Sequence, residues 1–430
     1  MVTATRSGGN LDIDGPSPNL ASVSDKSTIL VSVNGPDRPG ISAGLMDVLT
    51  ASGAEVYDVE QIVVRGRLTL NVLIGVHGEK ATIRDLLLFG WEQRLQIDFQ
   101  LVDATPTPIK AMTVVTILGE RIGPEDFGLV ARAIADGQGN IERIFRLSRY
   151  PVISYELTVS NGDTDKIREQ LISVAAARPI DIAIQPEGLE RRAKRLVVMD
   201  VDSTLIENEV INLLAEEAGV GDEVAEITAS AMRGEIDFEG SLRERVALLE
   251  GLGEDAIDRV SARISVTPGA RTFIRTLKRM GMKTAIVSAG FTRFADGLAA
   301  KLKIDYSLSN TLEMKDGVLT GRLSGELVDG PRKARFLREI AAAEGISTGQ
   351  VVAIGDGAND LDMLSVAGLG IAFNAKPVVR ERADTSVSVP YLDAVLFLMG
   401  VRRDYVEAAD AADPEFAGGP LLEVPGTPPA

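Results

Sequence analysis

Leu196-Val197-Val198-Met199-Asp200-Val201-Asp202-Ser203-Thr204 decides the fold, because four consecutive apolar residues run straight into two acids spaced two positions apart. A short apolar run that ends at a polar turn reads as a buried strand of a parallel sheet. Side chains at i and i+2 of an extended chain point the same way, so such a strand presents both carboxylates at its carboxyl edge. Open α/β sheets bind their ligands there. One carboxylate can attack a phosphorus centre while its neighbour handles protons, provided that a divalent cation offsets the repulsion between two anions and an anionic substrate. Taken alone, the segment also fits an Asx-rich strand-to-helix turn.

Further strand ends favour the chemical reading. Val351-Val352-Ala353-Ile354 reads as a second buried strand leading into Gly355-Asp356-Gly357-Ala358-Asn359-Asp360. Its glycines permit a tight crossing into a helix, and Asp356 and Asp360 offer the hard oxygens that Mg²⁺ prefers. A dinucleotide fingerprint wants glycine where Asp360 stands, and no P-loop Lys-Ser/Thr pair follows. Between the two acid motifs, the strand-like run from Lys283 ends at Ser288, and Lys333 lies near a helix start after Asp329-Gly330-Pro331. Singly, Ser288 fits an N-cap and Lys333 a solvated helix residue. Aimed at one point, a hydroxyl and an ammonium suit a transferring phosphoryl group, whose charge spreads over three oxygens.

These motifs carry a family resemblance. Residues from about 195 to 400 resemble the haloacid dehalogenase superfamily of phosphotransferases and, within it, the phosphoserine phosphatases. The likeness rests on DVDSTLIENE at 200–209, MRGEIDFEGSLRERV at 232–246, SAGF at 288–291, Lys333, and GDGANDLDML at 355–364. It implies Mg²⁺-dependent hydrolysis of O-phospho-L-serine to L-serine and phosphate on a Rossmannoid α/β domain. Asp200 would be the nucleophile that forms an aspartyl-phosphate, and Asp202 the general acid and then base. The Asp200 carboxylate, the Asp202 backbone carbonyl and Asp356 would hold Mg²⁺. Ser288, Ala289, Gly290 and Lys333 would hold the phosphate, with Asn359 and Asp360 in support.

The insert between Ser203 and Val287 bears on the substrate. Acidic helix starts and the apolar spacing of Leu242, Val246, Leu248 and Leu249 predict a small helical cap over the sheet edge. By the same resemblance, Glu209 takes the substrate ammonium, Arg245 its carboxylate, and Met232 and Phe238 close the pocket. A zwitterion needs one anion and one forked cation, so the pairing is chemically sensible. Two other readings stay open at this point: a related small-molecule phosphatase or a phosphotransferase that passes the phosphoryl group to another alcohol such as homoserine, and an amino-acid sensor with an inactive catalytic domain.

The first half of the chain carries an internal repeat of strand-, helix- and strand-like runs, in the order βαββαβ twice, which is the ferredoxin-like arrangement. GPDRPGI at 35–41 resembles the signature of ACT domains. The resemblance implies an amino-acid effector such as L-serine held near Gly35, Asp37, Arg38, Gly40 and Ile41, and pairing of two chains into a homodimer through their sheets. In the second copy Gly119-Glu120-Arg121-Ile122-Gly123-Pro124 replaces that signature.

The expected division is 1–26 unstructured, 27–104 and 110–187 ACT-like, 195–402 catalytic with a cap at about 207–265, and 405–430 an unstructured tail. Zero cysteines exclude a disulfide framework, a thiol nucleophile and a cysteine-ligated zinc site. The start lacks an apolar signal core and no run is long enough to span a membrane, so a cytoplasmic location is expected. Lys plus Arg number 45 against 62 Asp plus Glu, a net charge of −17 that disfavours nucleic acid or anionic membrane as a partner. The sole histidine, His77, reads as a strand-end residue, and Trp91 as a packing residue.

Overall fold

Ile29, Val31 and Val33 alternate with more exposed neighbours along the first strand, so one face of it is core and the other is not. The computed structural model describes residues 27–102 and 111–413 except Gly234 and the Met232 side chain; the Thr105–Pro108 linker, the first 26 residues and the end of the tail lie outside the described residues. The chain forms two units that divide at Ile109. In the first, β1 (Ser27–Pro36), β2 (Glu55–Val64), β3 (Arg67–Val76) and β4 (Gln96–Val102) make an antiparallel sheet of order β2-β3-β1-β4. Helices Ile41–Ala51 and Glu79–Gln93 bury Leu45, Leu49, Leu86 and Phe89 against it. Trp91 does not pack as expected: it is 79% exposed on the outer face of its helix.

The second unit opens with the same arrangement. β5 (Met112–Gly119), β6 (Asn140–Ser148), β7 (Ile153–Ser160) and β8 (Asp181–Pro186) pair in the order β6-β7-β5-β8 under helices Pro124–Asp136 and Thr164–Ala177. Leu118, Leu147, Val152 and Ala183 share one apolar cluster with the large sheet that follows. Polar ties reinforce this joint. The buried Asp181 accepts hydrogen bonds from the Ser388 amide and from the Ser386 and Ser388 hydroxyls, and Gln185 donates to the Leu398 carbonyl at 2.9 Å.

That large sheet contains β9 (Leu196–Met199), β10 (Lys283–Phe291), β11 (Tyr306–Lys315), β12 (Val318–Ser324), β13 (Val351–Gly355), β14 (Leu369–Phe373) and β15 (Thr385–Val387). Its order is β12-β11-β10-β9-β13-β14-β15, parallel throughout except for the β11–β12 hairpin. β9 is buried on both faces, which is why it reads as an unbroken apolar run: Val197 and Met199 join the cluster containing Ile286, Ile354 and Phe373, while Leu196 and Val198 join Ala285, Val287 and Ala353. The chain leaves β9 for β10 on one side and later returns as β13 on the other, so the carboxyl end of β9 is the topological switch point.

Four helices between Val210 and Arg263 form the insert above that edge. Two short connections carry it, and they are tied together: the Ser265 amide donates to Asn208 Oδ1 at 2.7 Å and the Glu207 amide to the Ser265 carbonyl at 2.9 Å. The expected tail from 405 needs correction, because Arg403–Ala412 is a helix. Its small, polar composition hid two anchors, the buried Val406 and Asp410, whose carboxylate binds Arg275 and Arg279. No helix of the described residues is long and apolar enough to cross a membrane.

Candidate active site

The strand that delivers the acid pair stops at Met199 rather than running through Asp202. Asp200 keeps an extended conformation and ties back to β13 through its amide, 2.9 Å from the Ile354 carbonyl. The chain then turns sharply, and Ser203 sits at φ 56°, in the left-handed region. The two carboxylates therefore reach the same edge by a tight turn rather than by strand alternation. Asp202 Oδ1 accepts the Val210 amide at 2.7 Å and Oδ2 accepts the Ser288 hydroxyl at 2.9 Å. Burial raises the Asp202 carboxyl above the usual carboxylate range, against the pull of those two hydrogen bonds. Gly290 packs closely beside it: a Cβ there would lie 2.7 Å from Asp202 Oδ2 and 2.9 Å from Ser288 Oγ, so a larger residue would displace that pair.

Lys333 is not the solvated helix residue that its position alone suggested. It is fully buried, and its ammonium donates to Asp200 Oδ1 and Asp360 Oδ1, each at 2.7 Å. Burial works against the charge, but the two carboxylates outweigh it and hold the Lys333 pKa above its ordinary value. Burial and the Asp360 charge push Asp200 well up, Lys333 notwithstanding. Asp356, whose Oδ1 accepts the Thr204 hydroxyl at 3.1 Å, is raised to about 7 by burial, then by Asp360 and Glu209. Oxygens of Asp200, Asp356 and Asp360 all lie within 4.8 Å of one another. One ammonium faces three carboxylates, so a hard divalent cation fits both the charge deficit and the donor type.

A cavity of about 670 Å³ opens from these acids toward the helical insert. Asp200, Asp202, Asp356, Ala289, Gly290 and Asn359 line its floor, and Glu209, Phe238, Leu242 and Arg245 its roof. Ser288 and Lys333 stand behind the floor, on Asp202 and Asp200 respectively, rather than on the cavity surface. Met232 ends the helix Gly221–Met232, but its side chain lies outside the described residues. Glu209 accepts the Ser203 hydroxyl at 2.9 Å, and burial together with Asp202 raises its carboxyl. Burial lowers the Arg245 guanidinium, against the attraction of Glu209 and Asp202. Anion and cation thus face one partly dry space.

Sequence reading missed Thr204, Asn212, Ser241 and Lys376, which the fold brings to Asp356 or to the cavity wall. Lys376 follows β14, so a cation at a strand end was a usable signal. Asn212 and Ser241 carried none, being polar residues inside helices.

Comparison with known proteins decides the family. Over 412 residues the chain is 50% identical to a phosphoserine phosphatase of Streptomyces coelicolor, covering 94% of this chain and 99% of that one. The chain belongs to the phosphoserine phosphatase family. A phosphoserine phosphatase of Mycobacterium tuberculosis is 46% identical over 407 residues, covering 93% of this chain and 99% of the relative. Haloacid dehalogenase-like hydrolases match residues 197–365, and ACT domains match 27–100 and 111–185. Among solved structures, a HAD family hydrolase from Salmonella enterica serovar Typhi superposes with a TM-score of 0.61 at 30% identity, covering 67% of this chain and 98% of that one. In this phosphatase the order of modules is therefore two ACT domains and then the hydrolase domain.

Proposed function

We propose that the chain hydrolyses O-phospho-L-serine to L-serine and phosphate with Mg²⁺ as cofactor. The observation that carries this reading is a single cavity with the acid cluster at its floor and Glu209 and Arg245 at its roof. A phosphomonoester between them meets the acids, while an α-ammonium and an α-carboxylate meet the roof pair.

In this reading Asp200 attacks phosphorus, an Asp–O–P bond forms, and the ester P–O bond breaks. Asp202, whose hold on a proton burial strengthens, gives its proton to the departing serine oxygen. Water then loses a proton to Asp202 and attacks the phosphorus, which returns Asp200 and frees phosphate. Lys333 fixes Asp200 in place, and Ser288 fixes Asp202. Ala289 and Gly290, with Asn359, line the place where phosphate oxygens would sit. Asp200, Asp356 and the Asp202 carbonyl would hold Mg²⁺, which when bound neutralises phosphoryl charge; the proximity of Asp360 supports a role in orienting that set. The insert, about 207–265, would act as a cap that excludes water.

The ACT region would sense an amino acid such as L-serine near Gly35, Asp37, Arg38, Gly40 and Ile41. The loop runs directly into a helix start: Gly40 takes φ 93° and the helix begins at Ile41, where backbone N–H groups can receive a carboxylate. Pairing of two chains is supported by β2, an edge strand whose residues are all exposed, with Ile62 at 57% and Val64 at 62%. The test of the catalytic reading is phosphate release from phosphoserine, phosphothreonine and unrelated phosphomonoesters in Mg²⁺ and in EDTA. Release from phosphoserine at no greater rate than from the unrelated esters would overturn it, and transfer to an added alcohol in place of free phosphate would mark a phosphotransferase.

A further inference from the structure

Helix Phe238–Ala247 gives the cavity roof four side chains, and two of them, Ser241 and Arg245, stand four positions apart on one face. Arg245 Nε donates to the Ser241 carbonyl at 3.2 Å, so the root of the guanidinium is seated directly over Ser241. Ser241 itself is 1% exposed, and its hydroxyl has no hydrogen-bond partner among the described residues. A helical serine usually satisfies itself by donating to the carbonyl one turn back. Here that carbonyl, on Asp237, receives the Ser241 amide at 3.0 Å and the hydroxyl leaves it alone. Buried polar groups without partners are few in folded proteins, and one in the wall of a ligand cavity points to the ligand.

We infer that Ser241 is a positioning residue for the substrate carboxylate, its hydroxyl donating to the same carboxylate that Arg245 holds. This rests on the phosphoserine reading. A carboxylate offers about four lone-pair sites and a forked guanidinium takes two, which leaves sites for a hydroxyl arriving from the adjacent turn. Two donors at different angles fix the carboxylate plane more tightly than one. With the ammonium on Glu209 and the phosphate at Asp200, the α-carbon is then held at three points, and one configuration of it is favoured.

Steady-state kinetics of the full chain and of Ser241→Ala on L-phosphoserine, D-phosphoserine and phosphoethanolamine, with thermal melting of both proteins, test the proposal. The wild-type preference for L-phosphoserine over phosphoethanolamine should fall about tenfold in the variant, chiefly through KM, and the preference for L over D should fall with it. The melting temperature should stay level or rise, because the lost hydroxyl had no partner. A wild-type protein without preference for L-phosphoserine would sink the substrate reading. A clear wild-type preference that Ser241→Ala leaves intact would sink only the role of Ser241. An equal loss on all three substrates with a lower melting temperature would assign Ser241 to packing and overturn the proposal as well.

Discussion

Replacing Lys333 with methionine tests whether the buried ammonium is what lets three carboxylates share one sheet edge. The side chain is fully buried, and both of its contacts, to Asp200 and Asp360, are 2.7 Å. At an effective dielectric of about 20, each such contact is worth roughly 6 kcal/mol of gross attraction, part of which offsets the cost of drying the charge. Removal of one member of a buried pair costs about 3–5 kcal/mol net, because the partners left behind are buried without compensation. Lys333→Met should therefore lower the melting temperature of the metal-free protein by roughly 5–10 °C. Calorimetry in EDTA is the assay, since the only tryptophan, Trp91, belongs to the other unit and would not report on this one. A second readout has the opposite sign. Loss of one positive charge leaves the cluster of Asp200, Asp356 and Asp360 more anionic, so added Mg²⁺ should raise the melting temperature of the variant by more than it raises that of the wild type. A loss below about 1 kcal/mol in EDTA, or an equal Mg²⁺ response in both proteins, would refute the reasoning.

Asp200→Asn should abolish phosphate release, because an amide forms no acyl-phosphate, whereas Asp202→Asn should slow turnover by roughly 10²–10⁴-fold; single-turnover phosphate assays check both. Arg245→Ala should damage turnover of phosphoserine far more than that of phosphoethanolamine, which lacks a carboxylate, and equal losses would assign Arg245 to folding. Asp410→Asn should cost about 1–3 kcal/mol at neutral pH. Burial opposes the Asp410 charge, but Arg275 and Arg279 hold its pKa below the ordinary value, so this contribution is present above about pH 4 and fades as pH falls through the folded pKa; urea unfolding from pH 7 to pH 3 measures it. L-Serine should inhibit the full chain with a non-competitive component that a chain beginning near Lys110 lacks, and purely competitive inhibition with one constant in both would remove the sensing role of the first ACT domain.

Legibility in the sequence followed how local each cause was. The apolar run of β9 and the glycines around Asp356 act within a few residues, so a parallel sheet with acids at its edge follows from those residues alone. Strand alternation nevertheless gave the wrong reason for the nearness of Asp200 and Asp202, because the chain turns after Met199, and Ser203 in the left-handed region makes that turn. The burial of Lys333 was hidden for a different reason. Its neighbours Arg332 and Arg335 are solvent-side helix residues paired with Glu326, and nothing within one turn distinguishes Lys333 from them. Only the return of β13 alongside β9 brings Asp360 opposite Asp200 and creates a position that an ammonium must fill. The same holds for Asp181 and Asp410, polar residues of ordinary segments whose partners lie 207 and 135 positions away. Charges buried by tertiary closure are thus the features a linear reading loses, and of these three only Lys333 lies in the candidate active site. Lys333 is bound directly to the carboxylate proposed to attack phosphorus, so a residue whose burial the linear pattern hid is also one whose removal should be felt in both stability and turnover.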